Sequence, residues 1–259
     1  AGAAAAGGWA WAMQGELTTA RYEVPLPVGL EGLDGVKIAQ ISDVHSADLE
    51  GPLRAALEEA APDLIVMTGD LVNREDRDLS RALSLARMAA ETAPAFFAPG
   101  NHEVDNPCWP ELRDGLEEAG VQVLEDRAVL WSLRGEGVNL MGLWDVTHDP
   151  LGWAHAQAAL PERVRALRRE GALNVLLSHR PSLLEEYGAG GADVVFCGHA
   201  HGGPVFAPDE GLFPKHTAGV YQAGETRMVV SRGLGNGTPY PRLWNGPELV
   251  VVTMKRAGT

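Results

Sequence analysis

From Val36 onward the chain alternates between short aliphatic runs and longer stretches in which apolar residues recur three and four positions apart. The runs are Val36–Ile41, Leu64–Met67, Ala95–Ala98, Leu173–Leu177 and Asp193–Cys197, with further strand-like pieces at Val138–Trp144, Met228–Ser231 and Leu249–Met254. Between them, Leu53/Ala56/Leu57/Ala60, Leu79/Ala82/Leu83/Ala86 and Leu160/Val164/Leu167 keep helical spacing, which predicts helices with one core-facing stripe each. Pro52 and Pro161 fall where a first helical turn tolerates proline and so mark two helix starts. Strand and helix in alternation predict an α/β protein. Gly202 to Gly246, dense in Gly and Pro, reads as loops and short strands closing over a sheet edge. With no internal repeat or linker in view, residues 21–259 are expected to form one domain behind a tail of residues 1–20.

Composition narrows the class of protein. The 259 residues are 45% hydrophobic and 22% charged, as in a globular chain, and the formal net charge of -14 argues against a partner held by long-range attraction to phosphate backbones. No nucleic-acid duplex is expected. Two cysteines, Cys108 and Cys197, supply neither a disulfide framework nor the four ligands of a structural zinc cage. Ala1 to Met13 is uncharged but shorter than the roughly 20 residues that span a bilayer. It reads as the remnant of a signal or anchor segment or as a disordered end, so association with a membrane through the N-terminus, export and a cytoplasmic placement all stay open.

The chemistry lies at the ends of the runs. Asp43-Val44-His45, Gly69-Asp70 with Asn73, Gly100-Asn101-His102-Glu103, Ser178-His179-Arg180 and Gly198-His199-Ala200-His201 each follow an apolar run directly. In open α/β sheets that is the edge at which ligands bind, and five of the eight histidines are delivered to it. Each piece alone has an ordinary explanation: Gly69-Asp70 as a turn, Asn101 as a helix cap, His179 as a core histidine. Their joint occurrence, in order and each behind a strand, points to metal. Seven Asp, Asn and His groups are too many for one tetrahedral ion and suit two ions of the Mn, Fe or Zn kind. If the backbone stays extended, Asp43/His45 and His199/His201 each place two side chains on one face.

These residues resemble the calcineurin-like metallophosphoesterase superfamily, whose pattern is D-x-H, G-D-x-x-[DN], G-N-H-[DE], a lone H and G-H-x-H. The resemblance extends over about Arg21 to Val252 and implies a four-layer α/β/β/α sandwich of two mixed β-sheets flanked by helices. It assigns Asp43, His45 and His201 to one metal, Asn101, His179 and His199 to the other, and Asp70 to a bridge between them. By the same resemblance His102 contacts the substrate phosphoryl group and acts on the leaving oxygen without binding metal, while Asn73 stands behind the ligands. The stretches after His199, at Ala218–Tyr221 and at Val230–Gly235, resemble the YkuE-like bacterial branch, with Ala200 and Pro204 where Thr and Gln are commoner. That branch is usually membrane-linked or exported. It includes enzymes proposed to hydrolyse phosphodiesters and some that cleave the pyrophosphate of UDP-diacylglucosamine.

Two divalent ions held by Asp43 and Asp70 as the only acidic ligands keep about two net positive charges, enough to attract a phosphate to an acidic protein. Such a pair lowers the pKa of a shared water and supplies a bridging hydroxide for in-line attack on phosphorus. The implied activity is a metal-dependent phosphodiesterase or pyrophosphohydrolase acting on a phosphate-ester small molecule or lipid head group. A broad phosphomonoesterase is the near alternative. A non-catalytic metal-binding module is the distant one, because all seven ligands and His102 are present. Arg180 and Arg232 are candidate phosphate contacts, and Glu103 is expected to brace a histidine or the turn. Cys197 reads as core, His148, His155 and His216 have no motif partner, and the tryptophans supply core or an apolar surface.

Overall fold

The computed structural model describes residues 16–203, 215–237 and 245–256. Most of the expected N-terminal tail, and parts of the Gly- and Pro-rich stretch after His201, lie outside the described residues. Two six-stranded sheets form the body. The first runs in the order β1 (Thr18–Pro25), β12 (Glu248–Lys255), β2 (Lys37–Ile41), β3 (Leu64–Met67), β4 (Ala95–Phe97) and β5 (Gln122–Val123). The second runs β10 (Gly219–Ala223), β11 (Thr226–Val230), β9 (Val194–Cys197), β8 (Leu173–Leu177), β7 (Glu136–Gly142) and β6 (Arg127–Leu133). Both are mixed: β12 is antiparallel to β2, and the hairpins β6/β7 and β10/β11 edge an otherwise parallel second sheet.

Strand alternation sorts side chains into three apolar layers. In β3, Leu64 and Val66 face the second sheet, where they meet Val175, Phe196 and Val229, whereas Ile65 and Met67 face outward. Onto that outer face pack α1 (Glu50–Ala60), α2 (Ser80–Thr92) and, after the short α3 (Asn101–Asp105), α4 (Trp109–Glu118), through Leu53, Leu57, Ala82, Leu85 and Leu112. The other outer face is covered by α5 (Trp153–Leu167) and α6 (Leu184–Gly190), through Ala156, Leu160, Val164 and Tyr187. The result is the expected four-layer α/β/β/α sandwich. The inner face of β2 breaks the pattern: after Ile38 it presents Gln40, which is completely buried.

Three differences from the sequence reading have local causes. Pro52 sits in the first turn of α1 as expected, but Pro161 lies inside α5. The buried stripe of α5 already begins at Ala156, so packing carries the helix through a proline that removes one main-chain hydrogen bond. β1 begins at Thr18, ahead of the expected boundary at Arg21, and pairs in parallel with β12. β6, with the sequence RAVLWSL, is a strand the sequence reading does not place: it is an edge strand whose short apolar stretch Ala128–Trp131 stays partly exposed, Leu130 included. Its tight turn into β7 uses Arg134 and Gly135 at φ 51 and 85, the left-handed pair that suits a two-residue hairpin.

Candidate metal centre

β2, β3 and β4 of the first sheet and β8 and β9 of the second end at one edge, and the five motif segments follow them. The backbone does not stay extended there. Asp43, His45, Asp70, His199 and His201 all have left-handed φ, at 51, 49, 55, 65 and 45°. The paired residues still converge, but by folding back over the sheet edge rather than by continuing a strand. Such conformations cost of the order of 1–3 kcal/mol each and persist only where the surroundings enforce them. Here main-chain bonds do so: Asp43 N donates to Gly69 O and His45 N to Asp70 O, both at 3.0 Å. Gly69, at φ 87°, passes so close to Gly100 that a Cβ would stand 2.4 Å from its nitrogen.

The side chains close into one buried cluster. Nε2 of His45 lies 3.2 Å from Nε2 of His201, which lies 3.4 Å from Oδ1 of Asp43. Oδ2 of Asp70 lies 3.1 Å from Nε2 of His179, 3.8 Å from Nε2 of His45 and 3.9 Å from Nε2 of His102. The rings of His179 and His199 meet edge to face at 5.0 Å. Three overlapping groups therefore hold ligand atoms within 4.8 Å of one another: Asp43/His45/His201, Asp70/His179/His199 and His45/Asp70/His102. Asp70 belongs to two of these and stands between the others. Asn101 is buried beside them, and its Oδ1 has no hydrogen-bond partner among the described residues. His102 is more open to solvent than His201, with 17% of its side chain exposed against 12%.

A second layer of polar groups aims this cluster. Nδ1 of His179 donates to Thr68 O at 2.6 Å and Nδ1 of His45 to Oδ1 of Asn73 at 3.2 Å, so both rings turn Nε2 inward. Asn73 is itself held by Asp76, whose carboxylate also accepts from Ser46 at 2.6 Å. Asn106 closes that loop by donating to the carbonyls of Asn73 and Asp76. Glu103 braces the turn, as expected: its carboxylate accepts from the main-chain nitrogens of Asp70, Leu71 and Gly100 at 2.7 to 2.9 Å.

The two arginines are committed within the protein. Arg180 is buried, with Nε on Asp145 at 2.9 Å, its NH1 3.0 Å from Nε2 of His199 and its guanidinium over Trp153. Arg232 is ion-paired with the buried Glu248 at 2.7 Å. Arg180 thus borders the cluster, whereas Arg232 is tied to the start of β12. Cys197 is fully buried, and Trp109 stacks on Phe97 and meets Trp144 edge to face against the outer core. Of the histidines without a motif partner, His148 stacks on Trp144, His155 pairs with Asp149 and His216 hydrogen-bonds Pro181 O. Asp145, Asp76, Thr68 and Ser42 went unread in the sequence because single Asp, Ser and Thr residues carry no spacing signal.

Charge within the cluster is divided sharply. Burial opposes a proton on His179, but the carboxylates of Asp70 and Asp43 prevail and hold its pKa up to about 10. Burial likewise raises Asp70, and the facing histidines hold it well below the usual carboxylate range. Burial pushes His45 down to about 4 and lowers His102 and His199, the last also because of Arg180. Neutral imidazoles beside ionised carboxylates are the forms that bind a cation, and His179 must give up a proton to do so. The unpartnered Oδ1 of Asn101 and the all-N/O donor set fit two divalent cations of borderline hardness.

A sandwich of two mixed sheets with this buried cluster at the strand ends defines a metallophosphoesterase. The model of the calcineurin-like phosphoesterase family matches residues 36–203, and the chain belongs to that family. Among individual relatives, it is 27% identical over 270 residues to the metallophosphoesterase YkuE of Bacillus subtilis, a match covering 97% of this chain and 91% of that one. It is also 29% identical over 191 residues to the phosphodiesterase YaeI of Escherichia coli, covering 69% of this chain and 65% of that one. Among solved structures, TT1561 of Thermus thermophilus shares the fold, with a TM-score of 0.54, 14% identity and coverage of 76% of this chain and 89% of that one.

Proposed function

We propose that this metal-dependent phosphoesterase hydrolyses phosphodiesters or pyrophosphates, with manganese as the preferred ion and a lipid- or nucleotide-linked substrate. The observation that carries the reading is Asp70, whose Oδ2 lies within 4 Å of His45, His102 and His179 and so lies between the two other ligand groups. Asp43, His45 and His201 would hold one ion and Asn101, His179 and His199 the other, with Asp70 shared. Bound there, two ions polarise phosphoryl oxygens and activate water.

The remaining chemistry belongs to the chain. Burial keeps His102 below the ordinary histidine pKa, so its imidazole is neutral in the free protein. An anionic phosphoryl group arriving beside it raises that pKa, which suits a ring that first donates a hydrogen bond and then protonates the departing oxygen. The main-chain nitrogen of His102 donates to Oδ1 of Asp70 at 2.9 Å, so the same turn that presents the ring also fixes the shared carboxylate. Diester preference draws support from the phosphodiesterase name of the Escherichia coli relative. The lipid- or nucleotide-linked part rests on the likeness to the YkuE branch.

The test compares bis-p-nitrophenyl phosphate with p-nitrophenyl phosphate on metal-stripped protein refilled with Mn²⁺, with metal content measured on the same sample. Mn-dependent cleavage of the diester over the monoester is expected. Preference for the monoester would replace the reading with a phosphomonoesterase.

A further inference from the structure

The inner face of β2 carries an anomaly. Gln40 stands where the pattern of this layer calls for an aliphatic residue, completely buried between Ile38 on its own strand and the apolar side chains of both sheets. Its Oε1 has no hydrogen-bond partner among the described residues, a condition that costs stability. The orientation of the amide is fixed by chemistry: Cys197 O can only accept, so the NH₂ group faces it, at 2.8 Å. The same nitrogen donates its second proton to Oγ1 of Thr68 at 3.0 Å. Thr68 donates to Oγ of Ser42 at 2.8 Å, and Ser42 donates to Oδ2 of Asp43 at 2.5 Å. Each hydroxyl accepts from one side and donates to the other, so the chain of bonds runs in one direction and ends on the carboxylate.

This ladder joins the two sheets. Cys197 ends β9, and the segment after it carries His199 and His201, whereas Gln40, Ser42 and Asp43 belong to β2 and its loop. A second tie lies beside the first, from His199 N to Oδ1 of Asp43 at 3.0 Å. The approach is close enough that a Cβ on Gly198 would stand 2.0 Å from Oγ of Ser42. Each principal ligand group mixes the sheets: His201 of the second completes Asp43/His45, and Asp70 of the first completes His179/His199. A bound ion requires its ligands to be placed to within about 0.5 Å, so the offset of one sheet against the other decides whether the groups close.

We propose that Gln40 is a positioning residue of the metal centre: it ties the end of β9 to β2 and, through Thr68 and Ser42, holds the Asp43 carboxylate in register with the histidines of the second sheet. This inference rests on the dinuclear reading above. The ladder spends buried polar groups on alignment, where an apolar side chain of equal length would pack at least as well.

The test uses the full chain, stripped and titrated with Mn²⁺, with binding followed by metal analysis and by the electron paramagnetic resonance signal that separates exchange-coupled Mn pairs from single ions. Gln40→Met keeps side-chain length and removes the amide. Thr68→Val breaks the ladder but leaves the Thr68 carbonyl that holds His179, and Thr68→Ser restores the hydroxyl. Gln40→Met and Thr68→Val are expected to bind one of the two ions about 10–100-fold more weakly and to show a single-ion spectrum where the parent shows a coupled pair, with Thr68→Ser close to the parent. Melting of the metal-free Gln40→Met protein is expected to match or exceed that of the parent. Wild-type affinity and coupling in both ladder variants would overturn the inference, as would equal losses in Thr68→Val and Thr68→Ser. Should Gln40→Met fail to fold, the Thr68 pair decides. A parent protein that never takes up two ions would instead defeat the dinuclear reading itself.

Discussion

Metal uptake by this protein is expected to expel a proton, and the structure says from where. In the metal-free state the carboxylates of Asp70 and Asp43 hold His179 up to about 10, while burial keeps His45 neutral down to about 4. At pH 7.5, well below the value for His179, its Nε2 is protonated in nearly all molecules. An ion seeking that nitrogen must therefore displace the proton, which weakens its apparent affinity by two to three orders of magnitude, or about 3 kcal/mol, at that pH. Calorimetric titration of Mn²⁺ into metal-free protein, repeated in buffers of different ionisation enthalpy, reads the released proton directly. About one proton per chain is expected at saturation, and between pH 7.5 and 9 the affinity of the weaker site should rise by about tenfold per pH unit. No proton release, with affinity flat across that range, would refute the assignment of His179 as the protonated partner of Asp70.

Three further outcomes are expected. His102→Ala should retain both ions and lose about 10²–10⁴-fold in turnover, whereas Asp70→Ala should lose metal; equal metal loss in both, measured by elemental analysis, would contradict their separate roles. Gly198→Ala drives a Cβ to within 2.2 Å of Oδ2 of Asp43, so the variant should bind metal poorly even where circular dichroism shows it folded. Glu103→Ala strands the buried main-chain donors of Asp70, Leu71 and Gly100 and should cost about 3–5 kcal/mol in urea unfolding; a loss below about 1 kcal/mol would show the turn to be held by other contacts.

The gathering of Asp43, His45, Asp70, Asn101, His102, His179, His199 and His201 at one edge was legible because side-chain type and position behind an apolar run are both written in the sequence. So were α1, α2 and α5, whose stripes have a period; the shorter α4 and α6 were not read. What was hidden depends on partners far away in the chain. Gln40 reads as one polar residue in a strand until Cys197, 157 positions on, is seen beside it. Arg180 and Arg232 follow motif segments and suggest phosphate contacts, yet Asp145 and Glu248 claim their guanidinium groups. β1 and β6 were missed because both are edge strands: β1 mixes polar and apolar residues, and the apolar stretch of β6, Ala128–Trp131, is short and partly exposed. The left-handed loops escaped notice because the Asp-x-His and His-x-His spacings suggested an extended backbone, although all five ligands that adopt them are Asp or His, types enriched at positive φ.

The order in which the first sheet is assembled departs from the order in which the chain is made. β12, at residues 248–255, is translated after every motif residue, yet it stands second in its sheet, between β1 and β2. It is antiparallel to the strand that leads into Asp43 and His45, and its first residue, Glu248, anchors the segment whose Leu234 and Gly235 nitrogens bind the carbonyls of Ser42 and Asp43. A nascent chain arrested before Glu248 would carry the full complement of motif residues and still leave β2 unflanked on one side. Competence to capture metal is therefore a property acquired only once β12 has been made, and a protease that removes β12 would disarm the enzyme without touching any residue of its chemistry.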